Sequence, residues 1–181
     1  MFKPYEIGQY FDEMLQGNEP KEHYQSFYSK LLKFSEEELR EKHETAQSSF
    51  LRQGITFTVY GEEGGTERAM PFDFVPIIFP AETWRMIERG MKQRVEALNL
   101  FLDDIYNDQN IVEAGIVPRE LVNDNAYFYK QMIGAKVPLN NHIFLAGIDL
   151  IRDEHGTYRV LEDNLRNPSG MSYVYQNRYV M

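Results

Sequence analysis

Cysteine is absent from this sequence, which excludes disulfides, thiolate metal centres and a cysteine nucleophile, so any bound metal must be held by oxygen or imidazole. Long apolar runs are missing too. Ile143 to Ile148 is the longest of consequence, far short of the roughly 20 residues a helix needs to cross a bilayer, so no membrane partner is expected. Met1-Phe2-Lys3-Pro4-Tyr5-Glu6 has no apolar stretch behind its lysine; no secretory leader is expected, and the chain reads as cytoplasmic. Basic charge is in deficit, with 19 Lys and Arg against 28 Asp and Glu and a formal net charge of -9. The basic residues are also scattered, which argues against nucleic acid as a partner, because a phosphate backbone demands a concentrated basic face. No internal repeat, low-complexity tract or linker is evident.

What is present supports a packed α+β fold. Hydrophobic residues make up 43% of the chain and charged residues 26%, a balance able to bury a core, and 181 residues suit a single domain. Residues 1–53 read as helical and 54–181 as mixed α/β. Tyr24, Phe27, Tyr28, Leu31 and Leu32 fall on one side of a helix opened by Pro20. Ser35-Glu36-Glu37-Glu38 forms a capping box that starts a second helix. Leu39, His43, Ala46 and Phe50 line one face of it until Gly54, and His43 is read there as a packed residue rather than a ligand.

The period changes after Gly54. Ile55 to Tyr60 is rich in β-branched and aromatic residues and stops at Gly61, with Gly64-Gly65 close behind, which predicts a strand and a hairpin turn. The turn lacks the lysine and hydroxyl of a phosphate-binding loop. Pro71, Pro76 and Pro80 interrupt Phe72 to Phe79, so that run is expected to be irregular and buried. Trp84, Ile87, Met91, Val95, Leu98, Leu102 and Ile105 then draw an apolar stripe along a long amphipathic helix from about Glu82 to Tyr106. Trp84 and Met91 are expected in the core, and Arg85, Arg89, Lys92 and Arg94 on wetter faces. Pro118 starts a short helix through Val122, and Asn123-Asp124-Asn125 separates it from another helical stretch ending at Gly134.

The chemistry concentrates in residues 142–166. Ile143 to Ile151 and Thr157 to Glu162 are strand-like and joined by Asp153-Glu154-His155-Gly156, which has strong turn chemistry, so an antiparallel hairpin is predicted. With His155-Gly156 as a two-residue loop, Asp149 faces Glu162; with a four-residue loop it faces Val160 and lies diagonal to Glu162. An odd loop or a bulge would separate the two carboxylates. Asn164 joins Glu162 on its face if the strand persists. Two carboxylates opposed on a sheet repel one another unless a proton or cation compensates, and hard oxygen donors with open positions suit magnesium. Asp149, Glu162 and Asn164 are therefore the candidate metal ligands. The competing reading is a solvent-facing hairpin whose carboxylates pair with Arg152, Arg159 or distant lysines. Arg166 lies two residues past Asn164, and the backbone amides of the Asn167-Pro168-Ser169-Gly170 turn can face an anion. An arginine beside a magnesium site is what phosphoryl chemistry requires.

Gly147-Ile148-Asp149-Leu150, Val160-Leu161-Glu162-Asp163-Asn164-Leu165-Arg166 and Pro168-Ser169-Gly170 resemble the circularly permuted ATP-grasp family, relatives of glutathionylspermidine synthetase. Arg52 to Tyr60, Gly65-Thr66-Glu67-Arg68, Lys92-Gln93-Arg94-Val95, Ala97-Leu98-Asn99 and Val117 to Val122 extend the likeness over nearly the whole chain. The resemblance implies an ATP-dependent carboxylate-amine ligase acting through an acyl phosphate, with ATP and Mg2+ as cofactors and small-molecule or peptide carboxylates and amines as substrates. It implies that Glu162 and Asn164 match the Glu-x-Asn metal element and that Asp149 matches the preceding metal-binding aspartate. Arg166 would contact phosphate as the catalytic arginine, and Ser169 and Gly170 would belong to the loop near the acyl acceptor. In the family, the lobes that clamp adenine follow the metal hairpin, and this sequence stops at Tyr173 to Met181. The expectation is an amino-terminal portion carrying half of the site, inactive alone, with self-association or contact with the missing carboxy-terminal lobes. The alternative is a noncatalytic binding or assembly module using Tyr173, Tyr175 and Tyr179. A hydrolase built on His142 or His155 finds no nucleophile partner at a telling spacing.

Overall fold

A computed structural model describes residues 8–59 and 66–180. The chain divides into two compact units. One holds the residues through Ala81, Ile151–Arg159 and the segment from Ser169; the other holds Glu82–Leu150 and Val160–Pro168. The architecture is α+β, with six helices and three two-stranded sheets among the described residues.

The first unit begins with β1 (Leu15–Gln16) paired antiparallel to β2 (Glu19–Pro20), Leu15 opposite Pro20. Pro20 therefore ends a short ladder and does not open a helix as expected; lacking an N–H, it costs little at such an edge. A 3-10 turn at Glu22–Tyr24 leads into α1 (Gln25–Leu31). Tyr24 and Leu31 are buried, whereas Leu32, just past the helix, is exposed. Ser35 Oγ accepts the Glu38 amide at 3.2 Å and Glu38 Oε2 accepts the Ser35 amide at 2.8 Å, the expected capping box for α2 (Glu36–Arg52). Those bonds hold the Glu38 carboxyl below its ordinary value. Phe50, fully buried, meets Phe72 edge-on at 5.2 Å. His43 packs edge-on to Phe74 at 6.3 Å and bonds Gln47 at 3.0 Å, a packing role as anticipated.

Gly54, at φ +68, turns the chain into β3 (Thr56–Val59), which pairs antiparallel with β4 (Thr66–Ala69), Thr56 opposite Ala69. The glycine turn expected between them lies outside the described residues. The segment Phe72 to Phe79 is irregular but half-buried rather than buried, with Ile77 and Phe79 exposed. Prolines at 71, 76 and 80 keep it from a ladder that would fix one inward face.

The second unit is organised by α3 (Ala81–Tyr106). Its carboxy-terminal turns carry the core, where Ile105 and Tyr106 pack with Val112 and Val122, joined by Phe101, Leu102, Phe128 and Met132. Its amino-terminal turns are more open. Trp84, expected in the core, is 53% exposed, because it lines an open groove of about 650 Å³ shared with Ile87, Met91, Ile148 and Leu150. Helices α4 (Asn110–Glu113) and α5 (Arg119–Asn123) follow, the latter directly after Pro118. The stretch ending at Gly134 is a single 3-10 turn, Lys130–Met132.

Asn99 on α3 accepts the amides of His142 and Ile143 at 2.8 and 3.0 Å. With those amides taken by a side chain, the strand expected from Ile143 begins only at Gly147, and Phe144 is left 96% exposed. Strand β5 (Gly147–Arg152) pairs with β6 (Tyr158–Asn164), and α6 (Gly170–Val180), which has no buried residue, follows. No described helix is long and apolar enough to cross a membrane.

Candidate functional site

The turn of the β5–β6 hairpin has an odd length. Asp153 N–H donates to the Thr157 carbonyl at 3.0 Å and Gly156 N–H to the Asp153 carbonyl at 2.9 Å, so three residues connect a facing pair. The Asp153 carboxylate accepts the Thr157 and His155 amides at 2.8 and 3.1 Å, which holds its carboxyl below the ordinary value. Gly156 sits at φ +81, the left-handed conformation such a turn needs. Continued regularly, this register would set Asp149 opposite Leu161 and turn Glu162 to the other face.

The register does not continue regularly. A Cβ at Gly147 would lie 3.5 Å from Asn164 Cβ and 3.7 Å from the Asn164 carbonyl oxygen, so these two residues meet across the hairpin. Six residues lead back from Asp153 to Gly147 and seven forward from Thr157 to Asn164, so β6 carries one extra residue. Exposure locates it: Tyr158, Arg159 and Val160 alternate, then Leu161 and Glu162 are both exposed before Asp163 turns inward, the signature of a bulge. The odd turn and the bulge each reverse the faces, and together they cancel. Asp149, Glu162 and Asn164 are all exposed, and Gly147, two residues before Asp149 on the same side of β5, meets Asn164. Asn164 Nδ2 donates to Glu162 Oε1 at 2.9 Å.

Asp163 takes the opposite face. Arg94 on α3 grips both its oxygens at 2.7 and 2.6 Å, and that hydrogen-bonded pair holds the Asp163 carboxyl below its ordinary range. Arg94 was expected merely to be solvated; its partner sits 69 residues away, a separation that helical spacing does not reveal. The strand is thereby fastened to α3 through the residue between Glu162 and Asn164.

The arginines that the competing reading would pair with Asp149 and Glu162 are engaged elsewhere. Arg152 pairs with Glu13 at 2.6 Å and Arg159 with Asp153 at 3.0 Å. Among the described residues neither Asp149 nor Glu162 forms an ion pair. No three His, Asp or Glu side chains among those residues gather closely enough to hold a metal alone. The donor set on this face is instead two carboxylates and a carboxamide oxygen, all hard oxygen. That set fits a magnesium ion, which takes one or two carboxylates and completes its octahedron with water and phosphate oxygens.

Arg166 is exposed, with its guanidinium 5.6 Å from the ring centres of both Tyr127 and Tyr129. It forms no ion pair among the described residues. The tyrosines went unnoticed in the sequence, where the stretch ending at Gly134 was expected to be helical. Ser169 and Gly170 stand at the start of α6, where the Ser169 carbonyl accepts the Ser172 hydroxyl at 2.9 Å. His155 lies in the exposed turn, and His142 is tucked against Asp103 at 3.3 Å.

Residues 76–181 match the family described as circularly permuted ATP-grasp type 2. Over 178 residues the chain is 44% identical to an uncharacterized protein of Synechocystis sp., covering 98% of this chain and 37% of that one. It is 46% identical over 170 residues to an uncharacterized protein of Mycobacterium leprae, covering 93% and 29% respectively. A Frankia alni protein named "Putative glutamate--cysteine ligase 2-3" is 44% identical over 128 residues, 70% of this chain and 14% of its own length. The chain thus spans well under half the length of these relatives.

Proposed function

This chain belongs to the circularly permuted ATP-grasp type 2 family, and from that membership we propose that it supplies the magnesium-binding part of an ATP-dependent carboxylate-amine ligase. The observation that carries the reading is the shared exposed face of Asp149, Glu162 and Asn164, which no arginine neutralises among the described residues.

Magnesium, when bound, shields the phosphate oxygens of ATP and orients them. The carboxylates of Asp149 and Glu162 supply two anionic donors for it. The Asn164 amide N–H holds Glu162, leaving the Asn164 carbonyl oxygen as a neutral third donor. Arg166, without an acid partner, supplies positive charge toward the phosphoryl group in flight. Ser169 and Gly170 contribute to the loop near the acyl acceptor.

In the reaction, a substrate carboxylate oxygen bonds to the terminal phosphorus of ATP as the bond to ADP breaks. The amine nitrogen then bonds to the acyl carbon, phosphate departs, and the amine proton passes to solvent. Positioning carries most of this catalysis. The carboxylate and amine are small molecules or peptides. The Frankia protein's name supports the C–N bond-forming class, but this chain matches only 14% of that protein's length. Neither glutamate and cysteine nor glutathione and spermidine is assigned. Because the chain spans 37% of its Synechocystis relative, we hold that 1–181 is inactive alone and that the remaining parts of the site come from elsewhere in the full-length product.

The test is ATP turnover by the full-length gene product with panels of carboxylates and amines, with Glu162→Ala as control. Turnover that falls at least about a hundredfold in the variant supports the ligase. Equal activity in both, or none in either, favours a noncatalytic assembly module. That second reading draws on Tyr175 and Tyr179, which are 70% and 77% exposed on α6.

A further inference from the structure

Tyr127 and Tyr129 are set in place by a backbone held at three successive amides. Tyr127 N–H donates to Asn125 Oδ1 at 2.9 Å, Phe128 N–H to the Asn125 carbonyl at 2.9 Å, and Tyr129 N–H to the Tyr106 hydroxyl at 3.2 Å. Between them, the Phe128 ring stacks on Tyr106 at 4.8 Å with 11° between the planes. Tyr106 is itself part of the buried core. Phe128 is therefore pulled inward, and its two neighbours are presented outward, Tyr127 71% and Tyr129 43% exposed. Both ring centres lie at the same 5.6 Å from the Arg166 guanidinium, inside the range over which a cation is drawn to an aromatic face.

Arginine held in this way differs from a free surface arginine. A long flexible side chain loses rotamer freedom when it engages an anion, and that loss weakens binding unless the side chain is already ordered. A neighbouring carboxylate would order it too, but would cancel its charge. Aromatic faces order it while leaving the charge unspent. We infer that Tyr127 and Tyr129 are positioning residues: a two-ring cradle that pre-orders the Arg166 guanidinium for the phosphate of a nucleotide bound beside Glu162 and Asn164. The inference rests on the reading of Arg166 as a phosphate contact and adds the device that holds it.

Calorimetric titration of the full-length gene product with MgATP tests it, using three variants and their combination. Replacing both tyrosines by Phe keeps the rings and leaves the Kd within about twofold. Replacing both by Leu removes the faces and weakens MgATP about tenfold. Arg166→Gln weakens it at least as much, and adding the Leu pair to Arg166→Gln costs nothing further, because the rings act through the arginine. A readout free of nucleotide accompanies these: the Arg166 side-chain proton resonances are shifted upfield by the rings in the native protein and in the Phe pair, and return to ordinary positions in the Leu pair. Unchanged binding in the Leu pair with weakened binding in Arg166→Gln overturns the cradle and leaves the phosphate contact standing. Equal weakening by the Leu pair with or without Arg166 also overturns the cradle. Unchanged binding in Arg166→Gln, or no MgATP binding by the native protein, overturns the phosphate contact and the cradle with it.

Discussion

Arg152 and Arg166 are both held against two aromatic rings, and they differ in what answers their charge. The Arg152 guanidinium lies 4.1 Å from the Phe11 ring and 4.5 Å from the Tyr158 ring, donates to the Gly156 carbonyl at 3.0 Å, and pairs with Glu13 at 2.6 Å. Its side chain is 22% exposed and that of Glu13 26%. Arg166 sits farther from its rings, is exposed, and meets no acid among the described residues. Ring contact alone therefore does not mark a functional arginine. What separates the two is the counter-charge, present at Arg152 and absent at Arg166 among the described residues, and the proposed phosphate role of Arg166 builds on that difference. The comparison breaks if the two respond alike to removal. Arg152→Ala should lower unfolding stability by about 2–3 kcal/mol, through the lost ring contacts and a Glu13 left half-buried without its partner. Arg166→Ala should cost no more than about 1 kcal/mol, the worth of ring contact at an exposed site. Urea unfolding of both variants measures the difference, and equal losses would make Arg166 a second structural clasp.

The open side of the comparison also depends on the bulged hairpin, and Gly147 is where that geometry can be tested. A Cβ there would come within 2.8 Å of Pro168 Cβ and 3.5 Å of Asn164 Cβ. Neither neighbour has a flexible end to swing away. Gly147→Ala should therefore cost about 1–2 kcal/mol by overpacking. It should also disturb Asn164, weakening metal and nucleotide binding beyond what the stability loss accounts for. A Gly147→Ala protein with native stability would mean that Pro168 and the strand end can move apart.

That register shows where sequence reading reaches its limit. The long helix, the capping box at Ser35 and the hairpin were legible because each rests on local periodicity or on contacts within four residues. The face shared by Asp149, Glu162 and Asn164 was predicted from even-length turns, and the observed turn is odd. The face survives because a bulge restores it, and nothing in Leu161-Glu162 announces a bulge. Trp84 was misplaced for a related reason: whether an apolar side chain is covered depends on what packs over it, and periodicity reports only which side it faces. Arg94 with Asp163, and the tyrosines with Arg166, join residues tens of positions apart, where one sequence carries no signal of contact. The stretch holding 127–129 was expected to be helical, and the turn at Asn125 that splits its rings is fixed by a contact with Tyr106, 23 residues away.

The same contrast extends to carboxylates, and here the expected effect is smallest. Asp104 is a charge answered within the fold, as Arg152 is. Its oxygens accept the amides of Asn110 and Ile111 at 2.8 and 2.9 Å and the Asn110 side chain at 2.9 Å. These bonds, the Ile111 amide foremost, hold its carboxyl below the ordinary value of 3.8. A folded-state value below the unfolded one means that the unfolded chain takes up the proton first as pH falls. The contribution is therefore complete above the ordinary value and is lost as pH drops through the lowered one. Asp104→Asn keeps one acceptor oxygen and removes the titration. The variant should be modestly less stable than the native protein at pH 7. The gap should narrow as pH falls below about 4, because the native protein loses there what the variant never had. Glu38, Asp153 and Asp163 are held low in the same direction, so the native acid limb is shared and only the difference between the two proteins isolates Asp104. Urea midpoints at pH 7, 4 and 3 measure that difference. A gap that stays constant across the three would show that Asp104 acts through shape and hydrogen bonding alone, with no contribution from its charge.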